Sequence, residues 1–478
     1  MAEGRHPPAR SAPKGSGLTV RSPRGRGFAL ALLLLVAGFV AAPLTMADTP
    51  SRVGLPLVIG LGLPLTFLIA RVQRDAEAGR FLLSVMLGAI GLRLLVLALI
   101  HSSVGPAVFA PDTQEYWVVG QELLDSWQGD RPTPRKLVGS FQIGYYVLNA
   151  VAFLIFGRGA GAPVALNILF ASWLAVPIYH LTLLCVRGHQ GVARWATLMT
   201  AFFPSLILWS VLNIREAPTI FAVVLVVFFF ARFQMAPRAR DLLLAALAMM
   251  ALLVLREYMM MLVGFAAGVG VVMGRSRSPA ASFGAGAIML IASTFVLQSA
   301  GVGRSLAEEP TLERVQYLRE DLGRDARSAY GQGADVSTVG GAITYLPVGL
   351  AYFLLAPFPW SATGALQRIT LPESLLWYVL FFCAVRGVRL AVRHDLRRYT
   401  VPLAVLVTVT FAYALVEGNV GTAYRHRAQV LPLFFVLSAV GLRDLWGAWM
   451  ERRVQGRARQ SAAARGARTA EGSSRALP

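Results

Sequence analysis

The chain is short of charge: Asp, Glu, Lys and Arg make up only 15% of its 478 residues. Soluble domains carry roughly 25% charged residues, so a multidomain protein folded in water is excluded. Cysteine is nearly absent as well. Cys185 and Cys383 both sit inside apolar runs, which implies neither a disulfide framework nor a thiolate metal site. Acids are outnumbered, 25 against 45 Lys and Arg, for a net charge of +20. In a soluble protein that surplus would point to nucleic acid. Here the arginines cluster in the tails and between apolar runs, so their partners are membrane lipids and no nucleic acid is implied. Also missing are a P-loop, a dinucleotide fingerprint, a zinc motif, a nucleophile elbow and any visible internal repeat. Soluble-enzyme chemistry has no foothold.

What the sequence has instead is apolar residues, 56% of the total, with a mean hydropathy of +0.58. Runs near the ~20 residues that cross a bilayer recur along the chain. They predict an all-α polytopic membrane protein. Spans are predicted at 28 to 46, 53 to 70, 81 to 100, 163 to 186, 195 to 212, 217 to 232, 241 to 255, 258 to 274, 280 to 298, 373 to 390, 400 to 416 and 428 to 445. Twelve crossings put both basic ends, 1 to 27 and 446 to 478, in the cytoplasm, and their Arg, Gly, Ser and Ala composition reads as disordered tail. The first run, with Ala41-Ala42 near its end, resembles a signal peptide but reads better as an uncleaved first span.

Two further apolar stretches, 141 to 157 and 343 to 358, could cross, lie in the interface or re-enter. Arginine placement decides between these. If neither crosses, the short cytoplasmic connections hold Arg187, Arg194, Arg232, Arg238, Arg240, Arg275 and Arg277. The other face then has Arg158, Arg215 and Arg256, seven against three. The loops 101 to 140 and 299 to 342 then face outside, with the tips 213 to 216 and 256 to 258 and the segment 417 to 427. In the second loop Leu312, Val315, Leu318 and Leu322 fall near helical spacing, which predicts an amphipathic surface helix with Glu320 and Arg324 paired at i,i+4.

Four polar clusters share that face. In the first, Asp112 follows Pro111 and precedes Thr113, Glu115 and Tyr116. Two roles are open: a general base at the membrane surface, or an N-cap for a helix starting at Thr113 with Glu115 completing a capping box. In the second, Arg215 and Glu216 precede Pro218. Glu216 suits either a helix N-terminus or a second acidic site residue held ionised by arginine. Arg256 and Glu257 sit in a connection so tight that both lie near bilayer depth, where charge is costly unless it is paired with its neighbour or faces a watery cavity. Finally, Tyr424, Arg425, His426 and Arg427 follow Gly418 and Gly421 just before the last span. Two guanidiniums and an imidazole on a face that disfavours basic residues ask for a reason, and two are open: a phosphate or diphosphate site, or simple anchoring at the interface.

Taken together, Asp112 with Tyr116, the stretch Gly144-Tyr145-Tyr146 to Phe156-Gly157, Phe203-Pro204-Ser205 with Trp209-Ser210, and an acid at the next tip resemble the GT-C superfamily of membrane glycosyltransferases. The nearest branch is that of protein mannosyltransferase-like and lipid A aminoarabinose transferase-like enzymes. Residues 105 to 260 carry most of the resemblance. It implies a GT-C-like fold and an inverting hexosyl- or pentosyltransferase of cell-surface glycan synthesis in a bacterial inner membrane. The donor would be a polyprenyl-phosphate-linked sugar, and the acceptor a glycan, lipid or protein. Neither cofactor nor metal is implied. By the same resemblance Asp112 is the catalytic base and Glu216 the second catalytic acid; the polar clusters themselves, apart from the resemblance, make Tyr116, Arg215, Arg256, Glu257, Tyr424, Arg425, His426 and Arg427 the candidate substrate-binding residues. Two other classes stand beside it. A polysaccharide polymerase or ligase would set the same arginines against a lipid diphosphate. A transporter would be expected to carry pseudo-symmetry and midplane polar sites.

Overall fold

In the computed structural model, residues 26–138, 143–275, 312–324, 326, 328–361 and 364–474 are described. They form an all-α polytopic membrane protein with no strand beyond an isolated bridge between Ala329 and Asn419. Inside lipid every backbone N–H and C=O must be paired within its own segment, and helices do this. Among the described residues nine helices are long and apolar enough to cross a membrane, or ten if one bent pair counts as a span.

The chain opens with α1 (Arg26–Thr45), α2 (Thr49–Arg71) and α3 (Ala76–Ser103), followed by α4 (Asp112–Gln128) and α5 (Gly144–Phe156). Next come α6 (Gly161–Trp173) and α7 (Ala175–Cys185), which count together as one span. After them are α8 (Gln190–Phe202), α9 (Pro204–Ser210), α10 (Glu216–Met235), α11 (Ala239–Leu255) and α12 (Glu257–Arg275). The remainder is α13 (Leu312–Arg324), α14 (Val339–Leu355), α15 (Ala365–His394), α16 (Leu396–Val416), α17 (Val420–Arg427) and α18 (Leu431–Ser474). Small residues let neighbours touch at the backbone. A Cβ on Gly38 of α1 would stand 2.6 Å from the Gly91 carbonyl of α3, so neither position has room for a side chain.

Helix ends gather at two faces. One is rich in arginine and tied by Arg194 to Glu77 at 2.7 Å, Arg187 to Asp395 at 2.9 Å and Arg232 to Asp241 at 3.1 Å. The other, the loop face, is tied by the Gly161 N–H on Ser51 Oγ at 3.0 Å, Arg215 on the Leu255 carbonyl at 3.1 Å and Tyr330 N–H on the Gly418 carbonyl at 2.9 Å. Both ends of α5 lie at the loop face: a Cβ on Gly144 would meet Val254 at 2.7 Å, and one on Gly157 would meet Pro50 at 3.1 Å. Likewise α14 starts beside Asp335 and ends where Leu354 and Ala356 give their carbonyls to Arg427. Both short apolar stretches therefore return to the face they leave.

Several sequence expectations need correction. The stretch 195 to 212 is not a straight span but α8 and α9, bent by 49° at Phe203-Pro204. Proline has no N–H to continue the ladder. The fully buried guanidinium of Arg93 fills the gap, donating to the Ala201 carbonyl and to Ser210 Oγ, both at 2.9 Å. The stretch 241 to 255 is a 17-residue helix whose ends reach opposite faces, through Asp241 and Leu255. The predicted span 280 to 298 lies outside the described residues. Past the last apolar run, α18 continues as helix to Ser474 where a disordered tail was expected; its alanines and arginines are good helix formers. In α13, Glu320 accepts from Gln316 at 2.5 Å and Arg324 pairs with Asp321 at 3.6 Å, so the expected i,i+4 pair is not made.

Candidate functional site

The loop face brings four separate stretches of sequence to one cluster. Asp112 is the first residue of α4 rather than its cap, because Pro111 already has helical φ and ψ and takes the cap position. Its carboxylate makes no capping bond and accepts instead from Arg425 Nη1 at 2.8 Å. The remaining donors of the same guanidinium, Nε and Nη2, grip Glu216 Oε1 and Oε2 at 2.7 and 2.9 Å. That fork matches the two carboxylate oxygens as only arginine can. From the other side Arg256 Nη2 reaches Glu216 Oε1 at 2.6 Å.

Beyond Arg256 the chain of contacts goes on. Its Nη1 meets Tyr258 Oη and, at 3.1 Å, His426 Nε2. A guanidinium only donates, so His426 Nε2 accepts and its proton sits on Nδ1, facing Glu417 Oε1. Thr422 Oγ1 closes the row on Glu417 Oε2 at 2.5 Å. The imidazole stacks on Tyr413, with centroids 4.9 Å apart, and burial lowers its pKa further than Glu417 raises it. The neutral ring follows from both facts. At Arg425 the balance is opposite: burial works against the charge, but Glu216 and Asp112 outweigh it and raise the pKa.

Exposure grades the cluster. Side-chain exposure falls from 44% at Asp112 to 13% at Arg425 and 0% at Glu216. Asp112 is thus the member that meets solvent, while Glu216 is sealed between Arg425 and Arg256. Two carboxylates and two guanidiniums leave the core neutral, the condition for holding charges at this depth.

Not every predicted residue joins. Arg427 turns away, giving both its hydrogen bonds to the Leu354 and Ala356 carbonyls at 2.8 Å and stacking over Trp377 and Tyr424. Tyr424 also leaves the cluster, donating to Glu373 at 2.7 Å. Two residues along a helix is more than half a turn, so Arg425 and Arg427 cannot face one ligand. Glu257 does not pair with Arg256; it is buried, and its Oε1 has no hydrogen-bond partner among the described residues. Tyr116 packs edge-on against Tyr145 at 4.8 Å behind Asp112. Glu115, expected in a capping box, accepts from Tyr146 Oη at 2.5 Å and Lys136 Nζ at 2.6 Å.

Other participants were not singled out from sequence. Asn167 Nδ2 reaches the Leu212 and Ile214 carbonyls at 2.9 Å and Tyr145 Oη at 2.8 Å, which fixes the tip that carries Arg215 and Glu216. Tyr145 passes its own proton to Asn213 at 2.9 Å. Glu417 was visible as an acid beside a basic element, and its partner could have been guessed from the His nine residues on. The described residues contain no metal-holding group of three or more His, Cys, Asp or Glu. No family model matches the chain, and no curated protein matches it.

Proposed function

We propose that the protein is an inverting glycosyltransferase of GT-C type in a bacterial inner membrane, transferring a sugar from a polyprenyl phosphate to an acceptor hydroxyl at the loop face. The observation that carries this reading is the shared guanidinium of Arg425, which holds half-exposed Asp112 with one nitrogen and sealed Glu216 with two. In the donor-free protein the Asp112 contact is the exchangeable one. A donor phosphate arriving from the membrane takes over Nη1 of Arg425 and frees the carboxylate. Asp112 then accepts the proton of the acceptor hydroxyl as its oxygen bonds to the anomeric carbon. The electron pair of the broken sugar–oxygen bond leaves with the polyprenyl phosphate, whose charge Arg425 stabilises. Glu216 keeps Arg425 aimed and does not itself exchange.

The test is transfer of radiolabelled sugar from defined polyprenyl-phosphate donors in membranes that contain the protein. Labelled glycan that depends on the protein supports the reading. Transfer only from lipid-diphosphate-linked glycan would replace it with a polymerase or ligase.

A further inference from the structure

A groove of about 530 Å³ runs between the end of α14 and the outer side of α15. Leu355, Tyr378, Phe382 and Val385 form its apolar walls, and Arg386 and Arg389 close one end. Tyr378 Oη donates to the Leu355 carbonyl at 2.8 Å, so the two walls are joined at the top. Trp360, 82% exposed, stands at that upper mouth. At 1.5 Å per residue the distance from Tyr378 to the arginines is about 12 to 17 Å, roughly half the ~30 Å hydrocarbon thickness. The groove is therefore about as long as one leaflet is thick.

Its polar end points to the arginine-rich face, since α15 finishes there at His394 beside the Asp395–Arg187 pair. Arg386 is engaged with Asp444 of α18 at 2.6 Å, whereas exposed Arg389 has no partner among the described residues. We propose that this groove binds one anionic phospholipid of the arginine-side leaflet, its phosphate on Arg389 and Arg386 and one acyl chain along Val385, Phe382 and Tyr378. An apolar trough alone would accept any lipid; the unpaired guanidinium at its end selects a negative headgroup. A polyprenyl phosphate reacting at the loop face would run the other way, its charge at the mouth by Trp360. The inference does not depend on the proposed reaction.

The full-length protein, reconstituted in vesicles of equal phosphatidylglycerol and phosphatidylcholine and re-extracted, can be weighed with its retained lipids by native mass spectrometry. Wild type should keep one phosphatidylglycerol with a preference of roughly 5-fold, the effect of one unpaired arginine near a phosphate. Arg389→Gln leaves the Arg386–Asp444 pair intact and should cut the preference several-fold. Val385→Trp keeps both arginines but fills the trough, and should expel the lipid. Arg452→Gln with Arg453→Gln removes charge outside the groove and should change nothing. Equal retention of the two lipids by wild type, unaltered retention in Arg389→Gln or Val385→Trp, or a loss in the Arg452 and Arg453 variant would overturn the assignment. So would a retained polyprenyl phosphate in place of the phospholipid.

Discussion

Arg425 and Glu216 meet through a two-pronged contact, Nε and Nη2 on the two carboxylate oxygens, with Glu216 wholly out of solvent. Their energetics follow from burial. Removing one partner leaves an uncompensated charge at membrane depth, which costs about 3 to 5 kcal/mol. Arg425→Gln should therefore lower Tm by far more than a surface change. Combining it with Glu216→Gln should recover part of the loss, since the cluster is then neutral again, with Asp112 and Arg256 as its two remaining charges. Melting of the three variants in detergent checks this, and additive losses would show that the pair is not coupled.

His426 gives a pH dependence with a definite sign. Its folded pKa lies below the ordinary value of 6.5 because burial outweighs Glu417. The unfolded chain therefore binds the proton first, and the stability held by the neutral ring is complete above about 6.5 and falls as pH drops through the lowered value. Protonation also sets a cation against Arg256, 3.1 Å away. Melting temperature measured from pH 7.5 to 5 should decline in wild type and decline less in His426→Asn. Parallel curves would remove His426 as the source.

What the sequence displayed and what it hid have one physical cause. Arg256, Glu216 and Arg425 stood out because charge beside a membrane span is costly and asks for a reason, and the structure brings these three together. Which guanidinium meets which carboxylate was not visible. Arg425 and Arg427 look alike in the string, and only the helical twist of α17 sends one to Glu216 and the other to the Leu354 carbonyl. Asp112 looked like a cap because Pro111 was assigned to the loop; its helical backbone moves the cap one residue earlier. Arg93 was overlooked inside an apolar run, since its partner is the Ala201 carbonyl, left open by the bend at Phe203-Pro204 on another helix.

The same-face return of α5 and α14 makes a topological prediction. Asp130 and Glu320 are exposed at the loop face, and Gln190 and Arg238 at the arginine-rich face. Single cysteines at 130 and 320 should react with an impermeant maleimide in intact cells, and those at 190 and 238 only after permeabilisation. Labelling at 190 in intact cells would mean that α5 crosses after all.

Asp112→Asn separates chemistry from scaffolding. Asparagine keeps the size of the side chain and still accepts from Arg425 through its amide oxygen, so the 2.8 Å contact need not be lost. The N-cap role is no longer a competing account of this position, because Asp112 is already inside the helix and caps nothing. Asp112 is the outer, half-exposed end of the pair, so the stability change should be within about 1 kcal/mol, the usual worth of an exposed ion pair. What asparagine cannot do is take up a proton. If the carboxylate is the base, transfer should fall by roughly 10²- to 10⁴-fold, while donor binding, which rests on Arg425, stays close to wild type. Purified Asp112→Asn protein should therefore show a loss in kcat with little change in donor KM or Tm. Wild-type turnover would move the base elsewhere, and Glu257, buried with an unpartnered Oε1 beside Arg256, would be the next carboxylate to change.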